Sequence, residues 1–351
     1  MSASITINGR RIGPGERAYI IAEMSANHNQ DFEQAVRIIE AAKEAGADAI
    51  KIQTYTADTL TINCDNAYFQ IQGTLWNGRT LYDLYGEAYT PWDWQPKLKA
   101  AANDLGMDLF STPFDFSAVD FLENMGVPAY KIASFENIDL PLLRKVAQTG
   151  KPIIMSTGMA SLSEIDEGVQ AIRDASGTQI ALLKCTSAYP APPEDANLRT
   201  IPHMAEAFGV PVGLSDHTLG IAVPVAAVAV GACIIEKHFT LSRATGGPDS
   251  AFSLEPGEFK AMVEAVRAAE QALGRVHYGV SPNEAKSRVF RRSLFVVQDI
   301  QAGDVFSVEN VRSIRPGHGL APKYWDEVIG RHAAQDISRG TPLRWSDISG
   351  E

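Results

Sequence analysis

Residues 213–220 read GLSDHTLG and residues 233–239 read CIIEKHF, with a small segment rich in alanine and valine between them. His217 follows the apolar run 210–214 and His238 closes the run 233–235. Each imidazole therefore sits at the carboxyl end of a short strand of the fully buried kind, with residues 222–231 as the crossover helix. Parallel neighbours bring their ends together. The two rings could share one cation, with Asp216 or Glu236 beside them, or each could be a satisfied polar residue at a strand end.

The same strand-then-helix rhythm fills most of the chain. A hairpin at 5–7 and 11–12, turning at Asn8-Gly9, precedes a first buried strand at 18–24. Further strands are predicted at 49–53, 107–111, 129–132, 152–155 and 180–185, ahead of the opening pair. Helices are predicted at 32–45, 92–105, 118–125, 140–148, 162–175, 201–208 and 256–273, besides the crossover. Eight such units in about 250 residues favour a closed (β/α)8 TIM barrel over an open doubly wound sheet, and no dinucleotide-type glycine fingerprint follows the first strand. The barrel is expected over residues 1–274.

One connection breaks the rhythm. Residues 54–91 are far longer than a usual strand-to-helix link and leave the carboxyl end of a strand, the side on which barrel sites lie. A lid or substrate-binding loop is expected there, against the plainer alternative of a satellite core around Trp76, Tyr82 and Tyr85. After helix 256–273, residues 275–290 read as a polar linker. Residues 291–351 turn to short strands, at 294–297, 305–307 and 311–314, and form a second, small β-rich domain.

Composition narrows the class. The 351 residues are 45% hydrophobic and 21% charged, as in ordinary globular enzymes, and the net charge of -11 argues against a nucleic-acid surface. The odd number of cysteines, three, fits a reducing compartment. The first residues lack the apolar core of a secretory signal, no run approaches a membrane span, and a cytoplasmic location is expected.

Polar residues end several of the predicted strands, and in a barrel these must converge on one mouth. They are Glu23 with Asn27 and His28; Lys51 and Gln53; Ser111 and Thr112; Lys131, Ser134 and Glu136; Ser156 and Thr157; Lys184, Thr186 and Ser187; and Ser215, Asp216, His217, Glu236 and His238. Lysines among hydroxyls make a phosphate or carboxylate site, so the substrate is expected to be an anion. Two chemistries fit. A cation on His217 and His238 could act as a Lewis acid on an aldehyde while Lys51 and Lys131 hold a phosphorylated partner. Alternatively Lys184 could be a Schiff-base nucleophile, as in barrel aldolases, with structural histidines.

The ordered motifs IIAEMSANHNQ, DAIKIQT, FSTPFD, AYKIAS, IIMSTGM, LLKCTSAYP, GLSDHTLG, IEKHFTL and GGPDSAFSL closely resemble the sialic acid synthase family, and SIRPGHGL with RGTPL resembles its small antifreeze-like (SAF) domain. These enzymes condense phosphoenolpyruvate with an open-chain amino sugar to give nine-carbon nonulosonic acids. The loop GTLWNGRTLYDLYGEAYTPWDWQPKL and the motif AEMSANHN are most like the branch that makes pseudaminic acid from a 2,4-diacetamido-2,4,6-trideoxy sugar. The N-acetylneuraminate- and legionaminate-forming branches are the alternatives.

The resemblance implies that His217 and His238 bind a divalent cation, manganese or magnesium. It implies that Lys51, Thr112, Lys131, Ser134, Ser156, Ser187 and Ser215 hold phosphoenolpyruvate, although some relatives carry Asn where this chain has Ser187. Gln53, Tyr189 and Asp249 match positions lining the sugar. Glu23, with Glu136 second, is the candidate for handling the water that captures the cationic C2, after which phosphate leaves by C–O cleavage. Arg315 matches an arginine that reaches from one subunit's SAF domain into the partner's barrel, which implies a domain-swapped homodimer. A carbohydrate-binding protein without catalysis is the reading from another class, and it has no need for a Lewis acid.

Overall fold

The computed structural model describes residues 4–350. Contacts divide the chain into two compact units that meet in sequence at Gly274 and Arg275.

In the first unit, strands β1 (Ile5–Ile7) and β2 (Arg10–Ile12) form an antiparallel hairpin. Eight parallel strands follow: β3 (Tyr19–Glu23), β4 (Ala49–Thr54), β5 (Asp108–Pro113), β6 (Tyr130–Ile132), β7 (Ile153–Ser156), β8 (Ile180–Cys185), β9 (Val212–Asp216) and β10 (Ile234–His238). They close in sequence order, with β10 paired to β3, so the predicted TIM barrel is the observed fold.

Each link carries a helix whose apolar face covers the strands. In Phe32–Glu44 the buried Ala35, Ile38, Ile39 and Ala42 recur at the i, i+3, i+4, i+7 spacing of one face, and Asp31 caps the start by accepting from Gln34 N. Gly126, at φ +70°, ends Phe116–Met125 in the left-handed conformation that favours glycine. The hairpin packs across the amino-terminal end of the barrel. Ile5, Ile7 and Ile12 are buried in the barrel core, Asn8 donates to Asp108 and Arg10 to Asp48, both at strand starts.

The second unit has its own core around Leu294, Val296, Phe306, Val311 and Leu343. Strands β11 (Ser293–Val296) and β12 (Val311–Ile314) pair antiparallel. The strand expected at 305–307 is reduced to a single bridge between Val305 and His332, because it is confined between two turns: one before it, where Gln301 N donates to Asp304, and one that begins at its end, where Ser307 N donates to Asn310. The stretch 275–290 belongs by contacts to this unit and contains a 3-10 turn, Ala285–Phe290; Gly317 N donates to Val289 O at 2.9 Å and ties it to the RPGHG loop. It is exposed, as a linker is, but not unstructured.

The barrel interior leaves no room at Gly213, where a Cβ would stand 2.6 Å from Ile234 Cβ and 2.7 Å from Leu183 Cδ2. Gly213→Val should lower stability in a denaturant titration by about 1–3 kcal/mol, the usual cost of overpacking; a neutral result would mean that the strands can part there.

Candidate active site

A cavity of about 370 Å³ opens at the carboxyl ends of the strands. Side chains two apart on a strand share a face, and this alternation chooses the lining: Lys51 and Gln53 from β4, Glu236 and His238 from β10, with Lys131, Ser156, Cys185 and Ser215 from the strands between. Glu23, the last residue of β3, lies beside His238 in register and packs under Lys51.

Two ammonium groups are buried here. Lys51 Nζ lies 2.6 Å from Glu23 Oε2 and 3.5 Å from Glu236 Oε1. Lys131 Nζ lies 3.7 Å from that same Glu236 oxygen and donates to Ser156 Oγ at 2.7 Å and to Ile132 O at 3.1 Å. Thr112 accepts from Lys51 at 3.3 Å. Burial drives the Glu23 carboxyl up to about 7 against the pull of Lys51, while for Glu236 the same burial is outweighed by Lys131 and Lys51, which hold it below the usual carboxylate range. Burial depresses Lys131.

The two imidazoles converge, with ring centroids 5.3 Å apart. His217 Nδ1 lies 2.8 Å from Thr186 O and carries a proton; burial disfavours a charged ring here, but the neighbouring Cys185 thiol and the Thr186 carbonyl outweigh it and raise His217 above the usual histidine range. His238 Nδ1 is buried without a partner, and burial among positive groups keeps this ring neutral, well below the usual histidine range. Among the described residues no three His, Cys, Asp or Glu side chains gather as a ready-made cage. Two converging imidazoles, one neutral with an orphaned nitrogen, do fit a cation that draws its remaining ligands from substrate and water.

Of the expected sugar residues, Gln53 donates to Glu23 Oε1 and Ser25 Oγ, Ser25 donates to Asp249, and the Tyr189 ring lies 4.4 Å from that of His217. Ser134 lines the cavity and bonds Ser187 Oγ at 2.8 Å, which puts Ser187 behind Ser134 and partly in a neighbouring pocket. Gly158 holds this pair close, since a Cβ would come within 3.0 Å of Ser134 Oγ. Glu136 reaches the cavity with Oε2 buried and unpartnered. Arg315 is an exposed residue of the second unit.

Several expectations are corrected. Asp216 does not face the cation position: it and Lys237 pair on the other face of their strands, so the carboxylate beside the histidines is Glu236. Lys184 alternates with Cys185 and points out of the main cavity, donating to Cys185 O at 2.8 Å, which removes the Schiff-base geometry. Asn27, His28, Ser111 and Thr157 are spent on fold contacts, with Phe239 O, Thr90, Ile52 O and Leu183 O respectively. Missed from sequence were Ser25, Cys185 and Gly158, and the face of the helix Leu81–Ala88, whose Leu81, Leu84, Tyr85 and Ala88 line the cavity at helical spacing. Residues 54–91 therefore do form part of the site.

A profile described as the NeuB family matches residues 38–278. The chain belongs to the NeuB family. A second profile, the SAF domain, matches residues 291–349. NeuB family enzymes use phosphoenolpyruvate in condensation and generally depend on a metal. Among curated relatives, a pseudaminic acid synthase of Campylobacter jejuni is 48% identical, covering 95% of this chain and 97% of its own. A pseudaminic acid synthase of Helicobacter pylori is 46% identical, covering 94% and 97%. Among solved structures, the N-acetylneuraminic acid (sialic acid) synthetase of Leptospira borgpetersenii, in complex with citrate, superposes with a TM-score of 0.73 at 33% identity, covering 82% of this chain and 95% of that one.

Burial raises the Glu136 carboxyl from 4.5 to about 7. The folded form holds this proton more tightly than the unfolded one, so the stability it lends is present below about pH 4.5 and lost as pH rises through about 7. Glu136→Gln, which cannot ionise, should leave thermal stability near wild type at about pH 5 and raise it by about 1–2 kcal/mol at about pH 8.5, after allowance for the partial exposure of the group. A gain of equal size at both pH values would show that ionisation is not its source.

Proposed function

We propose that the protein is a metal-dependent pseudaminic acid synthase, which condenses phosphoenolpyruvate with 2,4-diacetamido-2,4,6-trideoxy-altrose to give pseudaminic acid and phosphate. The observation that carries this is the meeting, in one cavity, of two buried lysines, a set of hydroxyls and a converging imidazole pair, in a chain 48% identical to a pseudaminic acid synthase.

Lys51 and Lys131 supply charge to the phosphate and carboxylate of phosphoenolpyruvate, and Ser134, Ser156, Ser215 and Thr112 supply directed donors, with Ser187 supporting Ser134. His217 and His238 would hold a divalent cation, manganese or magnesium, which would supply polarisation of the sugar aldehyde for attack by the C3 methylene of phosphoenolpyruvate. Gln53, Tyr189 and Asp249 orient the sugar. The cationic C2 that results is stabilised by Glu23 and captured by water, and phosphate departs from the tetrahedral intermediate by C–O cleavage. Glu23 is engaged with Lys51 and Gln53, whereas Glu136 Oε2 has no partner. That difference favours Glu136 as acceptor of the water's proton, with a carboxyl poised near neutrality. The site is completed in a cytoplasmic homodimer, where Arg315 of one SAF domain reaches the partner's barrel and its planar guanidinium binds an acyl oxygen of the sugar.

Phosphate release from phosphoenolpyruvate should occur with the trideoxy sugar and manganese, stop with chelator, and be at least about 100-fold slower with N-acetylmannosamine. Oxygen from labelled water should enter the sugar acid. Preference for N-acetylmannosamine would instead assign the chain to the neuraminate-forming branch.

Arg315→Ala and Lys131→Met should each lower turnover by about 100-fold or more. Mixing the two dissociated variants and reassociating them should restore activity toward roughly a quarter of wild type, because a swapped heterodimer contains one intact composite site. No recovery on mixing would place Arg315 outside the partner's site.

A further inference from the structure

The cavity has two chemically different surfaces. Its floor is made by barrel residues that are charged or hydroxylated, while its outer wall comes from the long segment after β4 and is apolar. In the helix Leu81–Ala88, Leu81, Leu84 and Ala88 share the face turned to the cavity. Ile71 lines the cavity as well, carried by a hairpin-like turn that leads into the helix: Ile71 N donates to Arg79 O at 2.8 Å, Gly78 N to Ile71 O at 3.0 Å, and Leu81 N to Phe69 O at 2.9 Å. Thr80 caps the helix by accepting from Asp83 N. The Trp76 indole N–H donates to Pro248 O at 3.0 Å and fastens the turn to the loop after β10. The wall is therefore a preformed surface, held by backbone bonds and one indole tie.

Resting on the synthase reading above, we infer that Ile71, Leu81, Leu84 and Ala88 form the specificity surface for the far end of the acceptor sugar, taking its deoxygenated C6 methyl. The aldehyde carbon must lie at the histidines and lysines to react, so the opposite end of an extended sugar is carried toward the segment that covers the floor. A methyl group there buries apolar area at no polar cost. A hydroxyl would lose its water facing leucine and isoleucine: Tyr55, Thr74 and Tyr85 are the hydroxyl-bearing side chains this segment gives to the cavity, and the Trp76 N–H is already bonded. An apolar pocket rejects an added hydroxyl by about 10- to 100-fold, which sets the expected selectivity.

The test compares 2,4-diacetamido-2,4,6-trideoxy-altrose with its 6-hydroxy counterpart at saturating phosphoenolpyruvate, for wild type, Ile71→Thr and Leu81→Thr. Wild type should favour the deoxy sugar in kcat/KM by about 10-fold or more, and each variant should narrow that ratio by about 10-fold with the KM for phosphoenolpyruvate unchanged. Ile71→Thr keeps a β-branched residue in the turn and so guards against simple unfolding of the helix. Equal use of both sugars by wild type, an unchanged ratio in both variants, or loss of both substrates in parallel with a raised KM for phosphoenolpyruvate overturns the inference. If wild type uses neither sugar but does use N-acetylmannosamine, the synthase assignment to this branch fails on its own. The comparison then passes to N-acetylmannosamine and its 6-deoxy form, where a deoxy preference narrowed by Leu81→Thr upholds the wall and its absence sinks it.

Discussion

Two ammonium groups taken out of water at the mouth of a barrel set the terms for everything around them. Isolated burial of such a charge costs several kcal/mol, so Lys51 and Lys131 persist because Glu23 and Glu236 lie against them. Those glutamates come from β3 and β10, the two strands whose pairing closes the barrel. Closure of the sheet and neutralisation of the lysines are thus one event. A barrel left open between β3 and β10 would strand two cations with half their compensation, and breaking one buried pair costs about 3–5 kcal/mol.

The same arrangement prepares the cavity for an anion. Lysines held among serine and threonine hydroxyls need little reorientation when a phosphate or carboxylate arrives, so ordering was completed during folding. Glu236, shared by both lysines, can yield its partners to an incoming anion without leaving the cations unpaired. Next to this polar floor, His217 and His238 turn their rings toward each other, and the apolar outer wall limits water. Charge, metal-binding nitrogen and hydrocarbon are therefore segregated within a few side chains of one another.

The barrel was legible in the sequence because its signals are repeated eight times, and small errors at strand ends do not alter the count. The site was legible where residues combined polarity with an apolar run, as at Lys51, Lys131 and His238. It was misread where the strict two-residue alternation of a strand was not carried to its last residue. Carried through, it places Cys185 inside and Lys184 outside, and sets Glu236 with His238 but Asp216 against Lys237. The helix Leu81–Ala88 was hidden by its length, its internal Gly86 and its position in a connection read as loop, although LYDLYGEA has apolar residues at i, i+3, i+4 and i+7. The shortened strand at 305–307 has a different cause: turns held by the Asp304 and Asn310 side chains close in on it from both sides, and apolar content alone does not register them.

At the other end of the barrel, the hairpin with Ile5, Ile7 and Ile12 covers the base of the core. Between it and the cavity the interior is filled by side chains, as the close contacts at Gly213 show, so the hairpin caps a solid and not a channel. The lysines at the cavity floor are therefore wetted from the mouth, and a ligand that fills the mouth takes them out of water on every side.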